Sequence, residues 1–188
     1  LQTAVVLELT HTASLIHDDV VDNSPTRRGN NSVHQQWSNK IAILTGDYML
    51  AKVISLLTEL RHANLLNIVS SMSKSLTEGE LLQLHAGDTM WISEKQYNQI
   101  IEQKTACLFA ACSEAGAAST GATMRQMTAM RHYGLHLGMC FQIKDDILDY
   151  SDVEDLGKPT MSDIQDGKAT LPLLISLQRA TPEEAQVI

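Results

Sequence analysis

The stretch Ser14-Leu15-Ile16-His17-Asp18-Asp19-Val20-Val21-Asp22 sets three carboxylates inside an otherwise apolar helical pattern. On a helix advancing about 100° per residue, Asp18 and Asp22 stand about 40° apart, one turn from each other, while Asp19 points aside. The pattern recurs later as Phe141-Gln142-Ile143-Lys144-Asp145-Asp146-Ile147-Leu148-Asp149. Carboxylates flanked this closely by Val, Ile and Leu are expected to be partly buried. Buried carboxylates must be paired, protonated or bound to metal. A lone copy reads as a solvated acidic helix face. Two copies in apolar settings read as a cation site, because six acids brought together stay ionised only around cations.

Paired carboxylate oxygens suit hard cations, above all Mg²⁺, which keeps waters and favours sites completed by substrate phosphates. The basic residues fit a phosphate ligand. Arg27 and Arg28 lie just beyond the first cluster, Lys144 sits within the second, and Lys158 and Lys168 follow it. Lys104 lies beside Thr105. Arginine grips phosphate oxygens bidentately, and lysine supplies a point charge. Any one of these reads as a solvated surface charge; the joint pattern of helical acids with basic loops after them does not.

Other chemistries lack their motifs. There is no GxxxxGK[ST], GxGxxG, GxSxG or HExxH sequence, and no Cys/His pair stands out as a nucleophilic site. A net charge of −8 argues against a nucleic-acid partner. Cys107, Cys112 and Cys140 have no CxxC spacing and read as reduced, buried thiols of an intracellular protein, so the expected location is cytoplasmic, with an organelle as the alternative. No run reads as long and apolar enough to span a bilayer, so no transmembrane segment is expected.

The elements that must position these groups are helices. Leu7, His11, Ser14, Asp18 and Asp22 form one stripe over residues 1–22, which Asn23-Ser24-Pro25 terminates. Residues 26–31 read as a loop. Helices are expected over 32–38, 40–61 and 64–86. Ser93 with Gln96 reads as a capping box opening a helix rich in Ala and Gly. Such a surface favours close packing. A long helix over 123–151 carries the second cluster. A polar loop to Gly167, a short helix over 171–180 and a new helix start at Thr181-Pro182-Glu183-Glu184 follow. No period-2 pattern appears, so the expected class is all-α. At 188 residues with 44% hydrophobic content, residues 1–188 read as a single domain with a real core. Leu1 falls inside a helix and the last helix has barely begun at Ile188, so the chain reads as truncated at both ends.

Asp18-Asp19-Val20-Val21-Asp22 with Arg27-Arg28-Gly29, then Gly46-Asp47, Glu78-Gly79-Glu80, Lys104-Thr105, Phe141 to Tyr150, Gly157-Lys158 and Gly167-Lys168, in this order, resemble the trans-isoprenyl diphosphate synthases. The resemblance runs over essentially the whole chain. It implies antiparallel helices around a central cavity, usually as a homodimer. It implies Mg²⁺-dependent head-to-tail condensation of isopentenyl diphosphate with an allylic diphosphate. Carried over by position, Asp18 and Asp22 would bind Mg²⁺ directly, with Asp19 supporting them. Asp145 would be the main ligand of the second cluster, with Asp146 and Asp149 assisting. Arg27, Lys104 and Lys158 would hold the allylic diphosphate, and Arg28 the isopentenyl diphosphate. Thr105 and Gln142 would lie beside the reacting carbons, and Lys168 would belong to a closing loop. The family's Gly-Lys-Arg segment and its C-terminal helices would lie outside these residues.

Product length is read from the wall below the first cluster. In the family, short-chain enzymes place a bulky residue four or five positions before the first aspartate. Here Ser14 and Ala13 stand there, so a long-chain polyprenyl diphosphate, such as a quinone side-chain precursor, is expected. A short-chain (farnesyl or geranylgeranyl) product is the alternative. A non-catalytic subunit of a heteromeric synthase would tend to lose aspartates or the Arg pair. A terpene cyclase would replace the second cluster with an Asn/Ser/Glu motif and be richer in aromatics than 4%.

Overall fold

The computed structural model describes residues 1–87, 92–151, 161–181 and 183–184. The long helix that carries the first acidic cluster, α1 (Gln2–Val21), runs almost as its apolar stripe predicts. It ends in a Schellman turn. Asn23 takes the left-handed conformation at φ 49°, the Ser24 amide donates to the Asp19 carbonyl at 2.9 Å, and the Asn23 amide donates to Val20.

The chain then reverses where a loop was expected. Strands β1 (Thr26–Arg27) and β2 (Asn30–Asn31) pair antiparallel, Thr26 opposite Asn31 and Arg27 opposite Asn30. Arg28 and Gly29 fill the two-residue turn at φ 51° and 78°. Two positive φ values match the right-handed twist of the paired strands. Glycine takes that conformation without strain, whereas Arg28 is held there against its steric preference. Four ladder residues leave the class all-α.

The chain divides into two compact units, residues 1–71 with 114–127, and residues 72–113 with 128–188. In the first, α2 (Val33–Gln36) leads into α3 (Asn39–Leu60), which packs along α1. Ala42, Gly46, Val53 and Leu57 are the buried stripe of α3. A Cβ on Gly46 would fall 2.3 Å from the His17 ring, so the missing side chain is what lets α3 pack against His17 of α1. On α1, Val6, Thr10 and Ala13 are buried on the same side as His17. The buried Thr10 hydroxyl is satisfied by the Val6 carbonyl at 2.8 Å. By length and composition alone α3 is long and apolar enough to cross a membrane, a test that a helix packed in a core, as α3 packs along α1, also passes. Lys40, Asp47 and Lys52 interrupt its apolar run and hid it from a search for continuous hydrophobicity.

The second unit begins within α4 (Ala63–Gly87). Helix α5 (Glu94–Ile101) opens with the expected Ser93–Gln96 capping box. It passes into a π-helical turn (Glu102–Ala106) before α6 (Cys107–Ser119). Helix α7 (Met124–Asp149) carries the second cluster, and α8 (Ser162–Gln165) and α9 (Leu171–Arg179) follow. Tyr97, Ile101 and Leu174 form a core joined by Met139 and Ile143. The small residues serve close packing. Cβ atoms on Gly134 and Gly138 would strike the Phe109 carbonyl and Ala106 Cα. The cysteines depart from expectation: Cys107 is half-buried, with its thiol pushed up to about 11 by burial, while Cys112 and Cys140 are exposed.

Candidate active site

Both acidic clusters occupy the last turn of a long helix, Asp18, Asp19 and Asp22 on α1 and Asp145, Asp146 and Asp149 on α7, with no basic residue in either last turn. The free carbonyls of a helix C-terminus already carry partial negative charge, so each carboxylate there is disfavoured by about 0.3–1 kcal/mol. Three acids at such an end, twice, break a local rule in the way a cation-binding site breaks it.

Within each cluster the middle aspartate is the buried one. Asp19 is 4% exposed and Asp146 is 3% exposed. Asp18 and Asp149 are half-buried, and Asp22 and Asp145 are exposed. Apolar neighbours therefore enclose one carboxylate of each three, not all of them. The reason is the helical advance, which turns the middle residue about 100° away from the first.

The two buried carboxylates are held by protein groups. Arg27 donates from Nε to Asp19 Oδ1 at 2.9 Å, and its Nη2 bonds the same oxygen. The Schellman turn and the hairpin bring Arg27 back onto the helix it has just left. Asp146 accepts from the Tyr97 hydroxyl at Oδ2, 2.5 Å, and from Gln142 Nε2 at Oδ1, 2.8 Å. Burial raises the Asp146 pKa; the bonds from Tyr97 and Gln142 oppose that, and the charges of Asp145 and Asp149 add to it. Arg27 thus stands on Asp19, and Asp146 has both oxygens engaged.

Lys104 and Thr105 lie on the π-helical turn. A single extra residue per turn re-aims side chains, and such turns concentrate at functional sites. Glu80 on α4 pairs with Lys104 Nζ at 2.6 Å. A Cβ on Gly79 would fall 2.6 Å from the Lys104 amide nitrogen. Glu78-Gly79-Glu80 therefore acquires a physical role: the glycine admits the π turn and the second glutamate holds its lysine. Thr105 Oγ1 donates to Gln142 Oε1 at 2.7 Å. Arg28 stands at the tip of the hairpin, and Lys144 is exposed on α7. Lys158 lies outside the described residues. Lys168 pairs with Asp166 at 2.9 Å and lies 3.9 Å from Asp163. The Asp163 amide donates to Asp149 Oδ2 at 3.0 Å. The Asp163 carboxyl is pushed up to about 6, first by its burial and then by Asp149.

The sequence reading did not single out Tyr97, Asp163 or the role of Glu80. Glu80 had a signal in its motif; Tyr97 and Asp163 had none beyond their positions. Ser14 lies on the stripe of Asp18, half-buried, with its hydroxyl bonded to the His11 carbonyl at 2.8 Å. Ala13 is 0% exposed, on the α1 side that faces α3.

Among the described residues, no three His, Cys, Asp or Glu side chains converge as a complete metal cage. The donor set fits Mg²⁺ nonetheless, since Mg²⁺ takes one or two carboxylates and fills its octahedron with water and phosphate oxygens.

Octaprenyl diphosphate synthase of Escherichia coli is 39% identical over 98% of this chain, which spans 58% of that protein. A short chain isoprenyl diphosphate synthase of Methanothermobacter thermautotrophicus is also 39% identical, over 97% of this chain and 58% of its own length. The crystal structure of a polyprenyl synthase from Caulobacter crescentus, complexed with calcium and isoprenyl diphosphate, superposes with a TM-score of 0.91 at 44% identity, over 98% of this chain and 57% of that one. The chain thus spans a little over half the length of these three proteins. The sequence model of the polyprenyl synthetases matches residues 1–188 throughout, and the chain belongs to that family.

Proposed function

We propose that the protein containing this chain is a Mg²⁺-dependent trans-polyprenyl diphosphate synthase, working as a homodimer. It joins isopentenyl diphosphate to an allylic diphosphate and repeats the step to make a long-chain product. The observation that carries the reading is the pair of acidic clusters at helix C-termini, each with its middle carboxylate buried and anchored by protein and its outer ones half-buried or exposed. Asp18, Asp22 and Asp145, with Asp149, would hold Mg²⁺. When bound, Mg²⁺ compensates the charge of the departing diphosphate.

The chain's own residues do the rest. Arg27, Lys104 and Lys158 bind the allylic diphosphate, with Lys104 pre-set by Glu80. Arg28, pushed out at the hairpin tip, binds the isopentenyl diphosphate. The allylic carbon–oxygen bond breaks heterolytically, the diphosphate leaves with the electron pair, and the isopentenyl double bond attacks the allylic cation. The oxygens of Thr105 and Gln142 stabilise that cation as fixed dipoles. The released diphosphate takes the proton lost from the new cation, so no protein nucleophile is required. Lys168 belongs to the loop that closes over the site.

The long-chain assignment rests on Ser14. It shares the stripe of Asp18 and is too small to stop a growing tail. Ala13, enclosed on the α3 side, is the weaker wall residue on this geometry. The test uses the full-length protein with labelled isopentenyl diphosphate, a short allylic primer and Mg²⁺, with products resolved by length. Long polyprenyl diphosphates are expected, and Ser14→Phe is expected to shorten them by several isoprene units. No chain elongation by the wild type would overturn the reading, and an unchanged product in Ser14→Phe would move the wall elsewhere.

A further inference from the structure

We propose that Tyr97 is a positioning residue for the transfer step, acting through Asp146 and Gln142 to set the direction of the Thr105 hydroxyl; this rests on the function proposed above. Four side chains from three segments of the second unit, α5, the π turn and α7, form one directed chain of hydrogen bonds. Tyr97, on α5, donates to Asp146 Oδ2 at 2.5 Å. Gln142, one turn earlier on α7, donates from Nε2 to Asp146 Oδ1 at 2.8 Å. Thr105, on the π turn, donates to Gln142 Oε1 at 2.7 Å.

The direction of each bond follows from donor and acceptor chemistry. An ionised carboxylate only accepts, so it takes a proton from Tyr97 and another from the Gln142 amide. That fixes the amide nitrogen on the Asp146 side and turns its oxygen to Thr105. The threonine hydroxyl must then give its single proton to Gln142, leaving its lone pairs facing elsewhere. A Thr105 oxygen held this way offers lone pairs, not a proton, to an electron-poor carbon. A free rotor would lose that preference.

Tyr97 is the anchor of the chain because it is the most enclosed donor. It is 3% exposed, packed with Ile101 and Leu174. Its hydroxyl holds Asp146 in the rotamer that meets Gln142. Removing it leaves one carboxylate oxygen buried without a partner, and the carboxyl can rotate away. Both oxygens of Asp146 are satisfied within the protein, so its place in the acidic motif is explained by this chain. Asp19, with Arg27, has the corresponding anchored place in the first motif.

The experiment is a double-mutant cycle in the full-length protein between Tyr97→Phe and Thr105→Val. Tyr97→Phe is expected to lower kcat about tenfold, the worth of one buried hydrogen bond to a charged group, with KM for both diphosphates within twofold. In the Thr105→Val background the same change is expected to lower kcat less than twofold, since the hydroxyl it positions is gone. Equal losses in both backgrounds would overturn the inference, as would a change in KM alone or an unchanged kcat. Should Tyr97→Phe fail to fold, Tyr97→Met in the same two backgrounds gives the same reading, because methionine fills the core without donating to Asp146. A wild-type protein without transfer activity would remove the proposed function and this inference together. An active wild type with additive losses would remove this inference alone.

Discussion

Replacing Gly79 by alanine is expected to slow transfer by the full-length protein about a hundredfold while lowering its stability by no more than about 2.5 kcal/mol. The added Cβ would lie 2.6 Å from the Lys104 amide nitrogen and 2.8 Å from the Gln103 carbonyl carbon. Ordinary contact begins at 3.4 Å, so the shortfall is about 0.8 Å. The obstacle is backbone and cannot rotate aside. Overpacking of this kind costs about 1–3 kcal/mol, and alanine inside a helix recovers about 0.5–1 kcal/mol relative to glycine. The π turn must move by most of an ångström, carrying Lys104 and Thr105 with it. Misplacing reacting groups by about 1 Å costs on the order of a hundredfold in rate. Steady-state kinetics beside denaturant melts separate the two effects. Gly116→Ala is the control, since its Cβ meets nothing within 4 Å; its rate should hold and its stability should rise by about 0.5–1 kcal/mol. A kcat for Gly79→Ala within threefold of wild type would refute the reasoning.

Three further outcomes are expected. Asp18→Ala and Asp145→Ala should each lower kcat about 10²–10³-fold with helical content unchanged; kinetics at saturating Mg²⁺ check this, and activity within tenfold for both would contradict the ligand assignment. Arg28→Gly should raise the melting temperature, because it relieves a positive φ of 51° costing about 1 kcal/mol, while raising KM for isopentenyl diphosphate more than for the allylic substrate; equal KM effects would refute the division between Arg27 and Arg28. The Asp163 carboxyl holds its proton up to about pH 6 in the folded state, against about 3.9 unfolded. Its contribution to stability is therefore full below about pH 4 and lost as pH rises through 6. Metal-free melts of wild type and Asp163→Asn between pH 4 and 7 should show a wild-type decline that the variant lacks.

The helices and the acidic clusters they carry were legible in the sequence for a shared reason. Both depend on spacing along one element. The stripe from Leu7 to Asp22 located α1, Ser93 with Gln96 located the start of α5, and the aspartate repeat fell on α1 and α7. What was not legible depends on contacts between elements. The π turn at Glu102–Ala106 carries no local signature, and its place is set by a glycine on another helix. The hairpin was hidden because Arg28 occupies a conformation that glycine or asparagine normally takes. The burial of Asp19 and Asp146 beside more exposed neighbours follows from which side of the helix meets Arg27 or Tyr97. Cys112 and Cys140 were read as buried from residue type, but packing left both on the surface.

The central claim is that the outer aspartates of each motif hold the cation and the inner ones hold the protein together. Anomalous diffraction from crystals of the full-length protein with Mn²⁺ and an unreactive allylic diphosphate analogue tests it most directly. The account predicts metal peaks at the carboxylates of Asp18, Asp22 and Asp145, with Asp19 still on Arg27 and Asp146 still bonded to Tyr97 and Gln142. A metal peak on Asp19 or Asp146, with Arg27 or Tyr97 displaced from it, would contradict the account.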